Sequence, residues 1–365
     1  MKQILVDAHS LPTAEGHGAN RRSAQIAELI AKADLQACAL PKNIPSSRLE
    51  KIAIAARSVL HPHSLRLMLH RDLQVGYVPQ NIALFGYRQQ MYRQGLAQHC
   101  GEKLFLWETT KNLVAPYVAQ DFGFKVIALP HELESFSFGV KQFPQRFTAE
   151  IAALAKAKAV FCISREEQWL LKLQKIEADF LPYYPAQPIL EKLLILRSTR
   201  SAAIEQERFL IVGTAFNTPT RAGMIEQIDW LHQIRQSVDF QVDIVGYGTE
   251  QLASYCSHPD FKVHGEVSSE HLNRLLIHTK AALVHQTAAV GALTRIPELL
   301  LAGVPVIANN IACRSAFEHD GVYCYDDQAE LAELMSKPLA MPKVLPRPML
   351  AEQRFIQVLQ KETSV

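Results

Sequence analysis

Short aliphatic runs, each the length of one strand, recur along this chain with helical segments between them, and that alternation leaves few folds open. In the first half they are QILVDA (3–8), KLFLWE (103–108), KVIALP (125–130) and AVFCIS (159–164), interleaved with ANRRSAQIAELIAKA, KNLVAPYVAQDFG and REEQWLLKLQKI. A second series runs through RFLIVG (208–213), QVDIVG (241–246), KVHG (262–265), AALVH (281–285) and PVIAN (305–309), with AGMIEQIDWLHQIRQ and SEHLNRLLIHTK among the intervening helices. Strands linked by crossover helices run parallel, and sheets so built are covered on both faces. The expected class is therefore α/β, with doubly wound parallel sheets. Residues 40–100 show no strand that can be placed from pattern alone.

At 365 residues the chain exceeds the size at which one core stops growing, so two domains are expected. LPYYPAQPILEKLLILRSTRSAAIEQE, rich in proline and charge, reads as the connection. The expected division is an N-terminal Rossmann-like domain over 1–185, a linker over 186–207 and a second domain over 208–335. Residues 336–365, a proline-punctuated linker and a terminal helix, are expected to pack back on the first domain.

A content of 48% hydrophobic and 20% charged residues excludes disordered and fibrous classes. No run of about eighteen apolar residues exists, and MKQILVDAHS has no signal-peptide core, so a cytoplasmic protein is expected. The six cysteines lack C-x-x-C pairing or zinc spacing and read as reduced thiols. Residues 1–185 hold 22 Lys+Arg against 16 Asp+Glu; subtraction from 38 and 36 leaves 16 against 20 for the remainder. Between Lys42 and Arg93 the cations outnumber Glu50 and Asp72 most clearly. That mild basic face suits either an anionic partner, such as the inner membrane surface, or plain solvent. It lacks the dense run that a nucleic-acid binder carries, so no nucleic acid is expected.

The segment VGALTRIPELLLAGVPVIANN (290–310) concentrates the chemistry. A strand ends, a glycine turn follows, and a helix begins near Thr294, which is expected to cap it. Pro297 is tolerated in a first turn, and Gly303 closes the helix. Free N–H groups of residues 291–295 at the positive end of the helix dipole would receive a diphosphate. Arg295 would add forked donors, and Glu298, one turn deeper, could hold a ribose diol. The alternative is that Glu298 simply complements the dipole within a generic core helix.

"GALTRIPELLLAGVPVIAN" resembles the donor-binding motif of GT-B glycosyltransferases of the family 4 type: a glycine loop, a glutamate seven residues on, and a small-residue helix ending in G-x-P-V. LIVGTAFN resembles the first strand and glycine turn of their C-terminal domain, VDIVGYGTEQL their I-x-G-x-G segment, and FKVHGEVSSEHLNRLL the strand, glycine and capped helix that follow. EGHGANRRSAQIAELI and TAEIAALAKAKAVFCISREEQWLL resemble pieces of the N-terminal domain. The resemblance implies a GT-B fold, two Rossmann-like doubly wound domains facing a cleft. It implies transfer of a sugar from a nucleotide diphosphate sugar to a glycan or lipid-linked acceptor, with retention, without a metal and with no cofactor beyond the donor itself. Polysaccharide biosynthesis, in the cytoplasm or peripherally at the inner membrane face, would be the setting. By position, Gly291, Ala292, Leu293, Thr294 and Arg295 would bind diphosphate and Glu298 ribose. Gly213, Thr214, Arg221, Gly246 and Gly248 would line the nucleotide side, with Gly16 and Gly18 approaching the donor. His131, in ALPHELES, would touch the transferred sugar and is the expected catalytic residue; otherwise it is an ordinary loop histidine.

Three departures from that pattern stand in the sequence. Val290 occupies the place of the first glutamate of Glu-x7-Glu and cannot hydrogen-bond a sugar hydroxyl. TAFNTPTRAG lacks the usual Arg and Lys, leaving Arg221 as the candidate cation. EGHG is a reduced glycine pair. Two other readings remain: a nucleotide-sugar epimerase or hydrolase on the same fold, drawing on Glu132 and Glu134, and a catalytically silent scaffold.

Overall fold

A computed structural model describes residues 1–364 except 14–15, 43–46, 60–61, 69–85, 87, 138–140, 201–203 and 289–290. Two compact units result. The first comprises Met1–Tyr183, Val290–Ala292 and Pro348–Val365; the second comprises Tyr184–Ala289 and Leu293–Arg347.

The first unit contains β1 (Lys2–Asp7), β2 (Leu35–Ala39), β3 (Leu104–Trp107), β4 (Lys125–Ala128), β5 (Ala159–Cys162) and β6 (Ala178–Phe180). They form one parallel sheet in the order β2-β1-β3-β4-β5-β6. Alternate residues feed two apolar layers. Ile4, Val6, Leu104, Leu106 and Phe161 join the helix Gly18–Lys32 and the terminal helix through Ile26, Leu29, Phe355 and Leu359. On the other face Leu5, Phe105, Trp107, Val126 and Cys162 meet Val114, Val118 and Leu154. Both faces are covered, which is why these strands read as unbroken aliphatic runs.

The second unit contains β7 (Arg208–Val212), β8 (Gln241–Val245), β9 (Phe261–Gly265), β10 (Ala281–Val284), β11 (Val306–Asn309) and β12 (Val322–Tyr325). Its sheet is also wholly parallel, in the order β12-β11-β10-β7-β8-β9. In each sheet the order reverses once, between β1 and β3 and between β7 and β10. Ligand sites in such sheets form where the strand order reverses, at the strands' carboxyl ends.

β2, β6 and β12 are short and carry polar or half-exposed positions, so they escape an aliphatic pattern. Residues 187–200, expected to connect domains, form the helix Gln187–Arg200, whose Arg200 donates to the carbonyls of Gly303 and Lys280 at 2.8 and 3.1 Å. The reading of all six cysteines as reduced thiols is corrected: Cys313 and Cys324 are disulfide-bonded, with Cα atoms 6.5 Å apart. Cys324 lies on β12 and Cys313 on the helical turn Asn310–Cys313 that follows its neighbour β11, a proximity that spacing along the chain does not reveal. No helix among the described residues is long and apolar enough to cross a membrane. Much of the basic stretch between Lys42 and Arg93, with His61 and His70, lies outside the described residues, as does Val290.

Candidate functional site

In the first unit, acids close the two strands at the reversal. Asp7 ends β1 fully buried, its Oδ1 2.6 Å from Lys42 Nζ and its Oδ2 accepting from Tyr92 OH. Burial raises its pKa against the pull of Lys42 and Tyr92. Glu108, just past β3, is 2% exposed. Its Oε2 accepts from Ser23 Oγ at 2.6 Å, His131 Nε2 at 3.2 Å and the His9 amide at 3.4 Å. Burial alone would push this carboxyl up, yet the bonds from His131, Ser23 and His9 overcome it and hold the pKa below its ordinary value.

An ionised carboxylate only accepts, so the proton of His131 sits on Nε2 and Nδ1 is left as the basic nitrogen. The His9 ring stacks on His131 with centroids 4.9 Å apart. Burial and the neighbouring His131 lower the His9 pKa to about 4, so His9 is neutral near pH 7. Beside them, Glu134 is raised to about 7 by burial and by Glu132. Glu150 accepts from the amides of Glu134 and Ser135 at 2.8 and 3.0 Å, fixing that turn. The arrangement can take a proton from a hydroxyl at His131, or exchange one at Glu134 near neutrality.

In the second unit the loops after β7 and β8 interlock. The Gly213 amide donates to the Val245 carbonyl at 3.1 Å and the Ala215 amide to the Tyr247 carbonyl at 2.9 Å. A Cβ on Gly246, at φ +133°, would lie 1.9 Å from the Gly213 carbonyl oxygen. Asn217 caps the helix Thr218–Ile234 through Thr220. A Cβ on Gly213 would lie 2.6 Å from Arg295 Nη1, so the arginine lies directly against this turn. Nη1 reaches the Val212 carbonyl at 3.4 Å, whereas the buried Nε has no partner among the described residues. Burial alone lowers this guanidinium to about 10, with no carboxylate among the described residues opposing it. Arg221, on the first turn of Thr218–Ile234, likewise has a buried Nε without a partner among the described residues.

The open depression of about 640 Å³ in the first unit lies away from both clusters, at the amino ends of the strands. Its Lys2 and Lys125 pair with Glu102 at 3.3 Å and Glu362 at 3.1 Å, a salt-bridged surface.

No protein-family model matches the sequence, and no curated protein does. Solved structures do match. Sucrose-phosphate synthase from Thermosynechococcus elongatus is 16% identical over 99% of each chain, with a TM-score of 0.66. HepE of Anabaena, in complex with UDP-glucose, is 14% identical over 100% of this chain and 98% of its own, at 0.60. UDP-GlcNAc 2-epimerase of Methanocaldococcus jannaschii is 13% identical over 99% and 100%, at 0.55. The fold is GT-B.

Within this GT-B chain the expected site residues fall into two groups. Gly16 (φ +101°), Gly18 at the start of its helix, and His131 lie in the first unit. Gly213, Thr214, Arg221, Gly246, Gly248, Leu293, Thr294, Arg295 and Glu298 lie in the second. Gly291 and Ala292 pack with the first unit, and the expectation of a free amide is corrected at Gly291. Gly291 is buried, at φ +57°, and its amide donates to Glu167 Oε1 at 2.9 Å. The same Oε1 accepts from the Leu133 amide at 3.1 Å, and Glu167 is itself placed by the Ser164 cap. Thr294 adopts helical angles and makes no side-chain cap. The helix it precedes, Arg295–Leu301, is short, with Glu298 half-buried in its first turn.

Sequence reading passed over Glu108, Asp7, His9 and Glu167. A signal existed for the first two: QILVDA and KLFLWE each end an apolar strand on an acid, and an acid at the carboxyl end of a buried parallel strand needs partners. Glu167 carried none, since its partners are amides far away in sequence.

Proposed function

We propose that this protein is a glycosyltransferase that moves a sugar from a nucleotide diphosphate sugar to a glycan or lipid-linked acceptor. The observation that carries this reading is Arg295. Its guanidinium is desolvated, has no counter-ion among the described residues, and lies against the glycine turn at the reversal point of the second sheet. A buried cation without an acid partner is costly, and an anionic ligand would offset that cost. Arg221, two positions beyond where the family resemblance puts an arginine, supplies a second such nitrogen. In this reading Gly213, Thr214, Arg221 and Arg295 hold the diphosphate and Glu298 the ribose, while the amide of Gly291 serves Glu167 instead. His131, oriented by Glu108, contacts the transferred sugar or the attacking hydroxyl. Guanidinium groups placed in advance can stabilise a departing diphosphate, the term on which such a transfer depends most. Retention and independence from metal belong to the same proposal through the family resemblance alone, and peripheral attachment to a membrane through the basic balance of the N-terminal half.

Glu134, with its pKa near 7, favours a second reading in which the donor sugar is epimerised. Incubation of the protein with UDP-, ADP- and GDP-sugars and a set of glycan acceptors separates the two. Acceptor-dependent release of nucleoside diphosphate supports transfer. Conversion of the sugar with the nucleotide still attached supports epimerisation, and no turnover with any donor removes both.

A further inference from the structure

Phe216 and Tyr247 are 57% and 58% exposed, while their centroids stand 4.5 Å apart with planes tilted by 44°. They are not among the residues that build the second unit's core, where Phe209, Phe240 and Phe261 are buried. They project from the loops after β7 and β8, at the carboxyl ends where the sheet's ligand site forms. The backbone beneath them is fixed by the bond from the Ala215 amide to the Tyr247 carbonyl. The ring of Phe216 lies over Gly248, at φ +81°, where a Cβ would come within 2.6 Å of the ring. The aromatic pair is therefore built into the glycine turns.

We propose that Phe216 and Tyr247 are the stacking platform for the base of the nucleoside diphosphate held at Gly213 and Arg295. This rests on the donor-site reading above. Reach supports it: Phe216 stands three positions beyond Gly213, so their Cα atoms lie at most about 11 Å apart. The distance from a base ring to the terminal phosphate of an extended nucleoside diphosphate is of that size. Chemistry supports it as well, because an exposed aromatic face gains most from a flat, weakly hydrated ring, and every base presents one. A platform of this kind tolerates different bases, so it supplies affinity more than base identity.

Calorimetric titration of UDP, ADP, GDP and inorganic pyrophosphate into the full chain tests this, with Phe216→Ala, Tyr247→Ala and the double variant alongside. The double variant should bind nucleoside diphosphates about tenfold or more weakly, while pyrophosphate affinity stays within about twofold. The ring-preserving variants Phe216→Tyr and Tyr247→Phe should bind as the parent does. If the parent binds nucleoside diphosphates and the double variant binds them equally well, the platform is wrong and the donor site stands. An equal loss of pyrophosphate affinity would assign the rings to loop folding and overturn stacking. A parent that binds neither nucleotide nor pyrophosphate overturns the donor site and the platform together. Loss of self-association in the double variant, with nucleotide affinity intact, would make the pair a contact between copies instead.

Discussion

Glu108 Oε2 lies 3.2 Å from His131 Nε2, joining an acid that closes β3 to a histidine just past β4. The carboxylate fixes the tautomer by accepting from Nε2, which leaves Nδ1 to take a proton from a hydroxyl. His131→Ala should lower turnover by about a hundred- to ten-thousand-fold, with nucleotide affinity nearly unchanged. Glu108→Gln keeps the shape and removes the charge. Its turnover should fall too, though less, because the neutral amide can donate as well as accept and no longer dictates the tautomer. Turnover equal to the parent's would show that Glu108 supports only the fold.

Arg295 against Gly213 gives the second prediction. Arg295→Ala should weaken nucleoside diphosphate binding by more than about tenfold, the scale of one charge-assisted hydrogen bond. Glu298→Ala should weaken nucleoside diphosphates by a similar factor and leave pyrophosphate unaffected, because its proposed partner is the ribose. Calorimetry on both variants checks this; an Arg295→Ala protein that binds as the parent does returns the arginine to a packing role.

The class of fold was legible because parallel strands buried on both faces are apolar at nearly every position, which leaves runs such as FLIV and AALV in plain view. β2, with its LQACA pattern half-exposed at the sheet edge, left no such run. Individual glycines were legible too: Gly246 and Gly248 adopt the positive φ that their turn demands. The use of Gly291 was not. A glycine before a helix suggests open amides, and only the tertiary placement of Glu167 decides that this amide is taken. The pairing of Cys313 with Cys324 is likewise a property of β11 beside β12 and not of the cysteines' spacing.

Gly246→Ala provides a structural check on the loops after β7 and β8. The new methyl would meet the Gly213 carbonyl oxygen at 1.9 Å, from a backbone at φ +133°. Both loops would have to move, at a cost on the order of 3 kcal/mol or more. Thermal unfolding should show a lower midpoint, and nucleotide binding should weaken even where the fold survives. A variant with the parent's midpoint would mean that the two turns are not locked together.

The pH dependence of stability should carry the mark of Asp243. This carboxylate is nearly buried at mid-strand in β8, with Oδ2 2.6 Å from Arg208 Nε on β7 and Oδ1 2.6 Å from His264 Nε2 on β9. Burial opposes its ionisation, but the bonds from Arg208 and His264 win and lower its pKa from 3.8. In the unfolded chain the group titrates near its ordinary value, at about 3.9. Across the interval between the folded and unfolded values, the unfolded state binds more protons, so stability climbs with pH there. The contribution is complete above the unfolded pKa and disappears as pH falls through the folded one. Asp243→Asn should therefore cost about 1–3 kcal/mol at pH 6, a range lowered from that of a fully buried pair because Arg208 is partly exposed. The gap between parent and variant should narrow below about pH 4. Chemical denaturation of both proteins at pH 6, 5, 4 and 3 measures it; a difference that stays constant down to pH 3 would mean that Asp243 acts through its shape and not its charge.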